Sequence, residues 1–144
     1  MCFERDIYAF FVKFAKFESA LKSQGYCREL PRGNAAPHWR RFKTQISEVD
    51  FPRGSASFEL LAAKPKQQMF VDAKVPPVFE EFDPDGTTAD KVVDTVKLVR
   101  NNLFHGGKHD GGEWDDPDRV LLLARLGAAV LDELAQAGGL QLEG

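Results

Sequence analysis

From Phe3 to about Gly25 the apolar residues Phe3, Ile7, Phe10, Phe14, Phe17 and Leu21 recur in alternating steps of four and three. That is the spacing of one face of an α-helix. Lys13, Lys16 and Lys22 fall elsewhere on the wheel, so the segment reads as a long amphipathic helix. Tyr8 and Phe11 add to four phenylalanines of the stripe. The excess of rings reads first as a bulky core, with one flank free to meet a second subunit. Pro31, Gly33 and Asn34 mark a connection over Leu30 to Ala36, and Pro37 suits the first residue of a short helix reaching about Val49. Phe51-Pro52-Arg53-Gly54 breaks the chain again, and Ser55 or Ser57 can cap a brief helix through Leu61.

Between Lys64 and Gly86 the periodicity dissolves. Pro65, Pro76, Pro77 and Pro84 exclude long helices, while Val75, Val78, Phe79 and Phe82 suffice to pin the segment to a core. The expectation is an irregular crossover with at most a helical turn around Phe79 to Phe82. Thr87 and Asp90 approximate a capping box, predicting a helix from about Thr88 whose buried stripe is Val92, Val96, Val99 and Leu103. Gly106-Gly107 should stop it. Asp116-Pro117 then predicts a last helix to about Ala137, closed by Gly138-Gly139. Its first half is apolar almost all round, which predicts a central position.

Of 144 residues, 43% are hydrophobic and 28% charged, the profile of one soluble globular domain. No stretch reaches the roughly 18 apolar residues of a membrane span, and the first residues lack the basic-then-apolar order of a secretion signal, so a cytoplasmic location is expected. Cys2 and Cys27 have neither the spacing of a zinc site nor that of a disulfide framework. A net charge of −3 argues against indiscriminate polyanion binding but leaves room for a local basic groove. Pro37-His38-Trp39-Arg40-Arg41-Phe42-Lys43 interleaves bases with aromatics. The reading preferred here is a helix with buried rings and a solvated basic face, rather than a nucleotide-stacking platform.

The chemistry concentrates in Val99-Arg100-Asn101-Asn102-Leu103-Phe104-His105-Gly106-Gly107-Lys108-His109. With the valine and leucine stripe facing inward, Arg100 and Asn101 lie to one side of it in the last turns of their helix, and His105 sits at its C-terminus. A guanidinium, an amide and an imidazole are thereby gathered within two turns, beside glycines that let a phosphate backbone approach closely. Within the helix only Asp90 and Asp94, near its start, are carboxylates, so no metal site is indicated. Without a reaction to perform, His105 would serve the helix dipole and Arg100 would pair with Asp94 or Asp90.

Arg100, four intervening residues and His105, with polar Asn101 after the arginine and the whole at the end of a penultimate helix, resemble the signature of the HEPN family. The resemblance implies a single all-α domain over residues 1–144, a HEPN-like four- to five-helix bundle with an irregular crossover before the motif helix. It also implies a metal-independent ribonuclease, without cofactor, that works as a homodimer. Arg100, Asn101 and His105 would be its catalytic residues, and Lys108, His109 and Asn102 would add contacts to the RNA substrate. Some HEPN toxins carry a tyrosine two residues after the histidine, modified by a partner antitoxin; here Gly107 occupies that position. A toxin or defence effector with an unrelated antitoxin or defence partner stays open. The alternative is a non-catalytic HEPN-type module that binds RNA, nucleotide or a protein. A DNA-binding regulator finds no support, since no helix-turn-helix with a basic recognition helix is visible.

Overall fold

The computed structural model describes residues 3–105 and 116–142, the side chains of Phe3 and His105 excepted. Five helices occur in it: α1 (Phe3–Ser23), α2 (Trp39–Gln45), α3 (Ala56–Ala63), α4 (Thr88–His105) and α5 (Pro117–Gly138). Two antiparallel hairpins join them, β1 (Cys27–Glu29) with β2 (Ala35–Pro37) and β3 (Lys66–Met69) with β4 (Val78–Glu81). The protein is therefore not all-α, and the segment before the motif helix is not an irregular crossover.

Both departures have physical causes. In the first hairpin Cys27 pairs with Pro37 and Glu29 with Ala35, and the turn between them runs through Arg32 and Gly33 at φ of 75° and 81°. Pro37 lacks an N–H, which suits a ladder end as well as a helix start, so the local signal for it was ambiguous. The helix begins two residues later, where His38 Nδ1 accepts from the Arg41 amide at 3.1 Å. In the second hairpin Lys66 faces Glu81 and Met69 faces Val78. Neither strand alternates apolar and polar residues, so nothing local announces it. Pro76 and Pro77 forbid a helix there yet lie in the loop, outside the ladder.

The remaining termini follow from local chemistry. Ser55 Oγ accepts from the Phe58 amide at 3.1 Å, and Thr87 and Asp90 cap one another reciprocally at 3.0 and 3.1 Å. Asp116 caps α5, and Gly139 closes it at φ 70°.

One cluster of buried side chains holds the elements together. Ile7, Phe10, Phe14, Phe17 and Leu21 of α1 and Val92, Val96, Val99 and Leu103 of α4 all contribute, as their spacing predicts. Helix α5 packs on α1, α3 and α4, yet its apolar start is not buried all round, for Leu122 remains 46% exposed. Gly127 lets α5 approach α1, since a Cβ there would stand 2.6 Å from the Phe10 ring. Glu133 of α5 reaches the start of α3, accepting from the Ala56 and Ser57 amides and the Ser57 hydroxyl at 2.8, 2.8 and 2.6 Å. No described helix is long and apolar enough to cross a membrane.

Candidate active site on the last turns of α4

Because Val96, Val99 and Leu103 point into the core, residues 100, 101 and 104 are turned outward on the final turns of α4. The outward flank meets α1 at Phe11 and Phe14. Arg100 Cζ stands 4.7 Å from the centre of the Phe104 ring and 5.6 Å from that of Phe14, while Phe11 meets Phe104 edge to face at 5.9 Å. The guanidinium thus rests on two ring faces, which attract a cation through their quadrupoles and cover its apolar side. Arg100 Nη1 donates to Asn101 Oδ1 at 3.3 Å, and Asn101 itself is exposed. Phe11, Phe14, Ala15, Glu18, Arg100 and Phe104 line a recess of about 110 Å³.

The two carboxylates that α4 could offer Arg100 are engaged elsewhere. Asp94 pairs with Lys43 of α2 at 3.0 Å, and Asp90 caps Thr87. Glu18, at the rim of the recess, accepts from Trp39 Nε1 at 3.0 Å. Among the described residues Arg100 has no carboxylate partner, so the plain salt-bridge role considered for it is not the one observed.

Lys97, one turn earlier, lies 5.0 Å over the Trp39 ring. Burial lowers its pKa from the ordinary 10.5; Asp94 opposes that shift, Lys43 adds to it and Glu18 opposes it. Trp39 and Phe42 are turned inward, Trp39 stacking on Phe17 at 5.3 Å and Phe42 fully buried. Neither ring is presented to a nucleotide, in keeping with the preferred reading of that segment.

Asn102 faces away from the site. It is only 4% exposed and its amide donates to the Lys66 carbonyl at 2.5 Å, tying β3 to α4, so it is not presented to a substrate. Arg119 of α5 holds the preceding bend by donating to the Ala63 carbonyl at 2.5 Å. His105 is the last residue of α4, and its side chain lies outside the described residues, as do the Gly106-Gly107 stop, Lys108 and His109.

Phe104 was within reach of sequence reasoning, being four residues after Arg100 on the same helix. Phe14, Phe11 and Glu18 were not, because they join the site only through the packing of α1 on α4. No three His, Cys, Asp or Glu side chains converge among the described residues. No family model, curated protein or solved structure matches this chain.

Proposed function

We propose that this chain is a HEPN-type, metal-independent endoribonuclease of the cytoplasm, acting as a homodimer in the role of a toxin or defence effector. The observation that carries the reading is the state of Arg100: a guanidinium held on two rings at the end of α4, without a carboxylate among the described residues. Such a group is oriented by its surroundings and keeps its charge for an anion.

In the reaction, the ribose 2′-oxygen attacks the adjacent phosphorus and the bond from phosphorus to the 5′-oxygen breaks. The attacking hydroxyl loses its proton and the departing oxygen gains one. Histidine is the side chain suited to exchanging such protons near neutral pH, and His105 takes that role. Arg100 binds the non-bridging oxygens and offsets the charge that grows in the transition state, and Asn101 orients one or the other. The products are a 2′,3′-cyclic phosphate and a 5′-hydroxyl; DNA lacks the attacking group and survives. The cleft is composite: two α4 helices facing across a two-fold axis gather the arginine and histidine chemistries of both copies around one phosphate. Gly107 in place of a tyrosine argues against silencing by adenylation at that position.

A second reading, a non-catalytic helical module that binds RNA, nucleotide or a protein, is favoured by one observation. Arg100 is already engaged by Phe14, Phe104 and Asn101, as a residue with a structural role would be. Incubating the protein with single-stranded RNA and matched DNA in EDTA separates the two. Cleavage of RNA alone, with cyclic-phosphate ends and a loss of about 10²-fold or more in Arg100→Ala and in His105→Ala, supports the enzyme. No cleavage, or equal cleavage by the variants, supports the module.

A further inference from the structure

The charge of this chain is unevenly placed. Residues 26–43 carry Arg28, Arg32, Arg40, Arg41 and Lys43 against the single carboxylate Glu29, a net of +4 in a chain whose total is −3. This segment is the first hairpin together with α2. Lys43 is neutralised by Asp94. The four arginines are exposed, and among the described residues none has an ion-pair partner.

The placement of these arginines is specific. Arg32 occupies the hairpin turn at φ 75°, ψ 14°, a left-handed conformation that glycine or asparagine adopts more readily, and it puts a long exposed cation at the tip. On α2, Arg40 falls on the flank of Lys43, the side that meets α4. The α2 start is joined to the candidate active site through one shared ring, for Phe14 touches Trp39 at 5.7 Å on one side and Arg100 on another. Four exposed cations are thus carried by two adjoining elements, of which α2 begins one ring away from Arg100.

We propose that Arg28, Arg32, Arg40 and Arg41 form a docking surface for the backbone of single-stranded RNA, leading it to Arg100. Charge complementarity selects the occupant: the ligand is a polyanion, and arginine binds phosphate bidentately. The inward-turned Trp39 and Phe42 leave no described stacking ring on this surface, so binding there is indifferent to base sequence. The proposal deepens the ribonuclease reading and rests on it for the direction of travel, but the binding surface can be tested separately.

The test measures fluorescence anisotropy of a labelled 20-nucleotide RNA with the full chain, as a function of salt, in an His105→Ala background that prevents turnover. Arg40→Ala/Arg41→Ala is compared with Arg53→Ala/Lys74→Ala, which removes the same charge from exposed positions elsewhere. The expected result is at least tenfold weaker binding for the first pair with a salt slope lower by about 1.4, set by roughly 0.7 per phosphate contact on a single strand, and little change for the second. Arg32→Gly, which relieves the turn while removing the cation, should weaken binding without lowering the melting temperature. Equal losses from both pairs, or none from the first, overturn the docking surface. Cleavage assays of the same pairs without His105→Ala supply a distinct readout. If the 20-nucleotide RNA loses kcat/KM while a dinucleotide does not, the surface serves the site. If RNA binds through these arginines but nothing is cut, the surface stands and the ribonuclease reading falls.

Discussion

Arg100 and Phe104, one helical turn apart on α4, are in cation–π contact at 4.7 Å, and the same guanidinium lies over Phe14 of α1. One interaction is set within a helix and the other by the packing of two helices, so the aim of Arg100 depends on both. Replacing Phe104 by leucine keeps apolar bulk but removes the ring face, a loss of about 0.5–1 kcal/mol at a partly exposed site. The expected outcome is a small change in melting temperature with a much larger fall in RNA cleavage, because the guanidinium is no longer held in place. A parallel series with Arg100→Lys checks it: lysine keeps the charge but loses the fork, and kcat should fall more than KM rises.

Glu133 supplies three acceptor contacts to the first residues of α3 across more than 70 residues of sequence. Glu133→Ala leaves the buried Ser57 hydroxyl and two helix amides without that acceptor, and should cost about 2–3 kcal/mol. Chemical denaturation would register this as a lower midpoint with an unchanged slope, whereas Glu133→Gln should recover part of the loss.

Gly127→Ala tests the closest approach of α1 and α5. The added methyl would meet the Phe10 ring at 2.6 Å, and helix propensity favours alanine over glycine by only about 1 kcal/mol. Overpacking of this kind costs about 1–3 kcal/mol, so the variant should be no more stable than the parent and is expected to be less so. A thermal melt decides the sign.

Lys97 gives stability a pH dependence. Its folded pKa lies below the ordinary 10.5, chiefly through burial, so between the lowered value and 10.5 the unfolded chain binds the extra proton. Unfolding free energy must then rise with pH across that window and be lowest below it, where folding keeps a charged ammonium half-buried. Lys97→Met should remove this contribution: a flatter stability profile on the alkaline side, measured by denaturation at a series of pH values.

Asn102→Ala cuts the bond that fastens β3 to α4. About 1–2 kcal/mol is expected, concentrated in the second hairpin. Hydrogen exchange should quicken over Lys66–Met69 and Val78–Glu81 while α1 and α5 keep their protection.

The stripes of α1 and α4, the Thr87–Asp90 capping box and the Asp116-Pro117 start of α5 were all legible locally, because a 3.6-residue period and a cap are properties of neighbouring residues. Arg100, Asn101 and His105 were singled out as candidates the same way, as polar groups crowding a helix end. The two hairpins were not. Their strands are three or four residues long without alternation, and each exists because a partner strand stands opposite. Asn102 looked like part of the polar cluster, yet only the folded chain shows that it points to Lys66.

By itself the sequence determined where five helices run, which faces they bury and which residues could act on a phosphate, since these depend on periodicity and chemistry along the chain. Tertiary structure alone decided that Arg100 lies on Phe14, that Asp94 belongs to Lys43, and that Asn102 is spent on the Lys66 carbonyl. Contacts between residues far apart in sequence depend on how elements pack, and no local pattern encodes that.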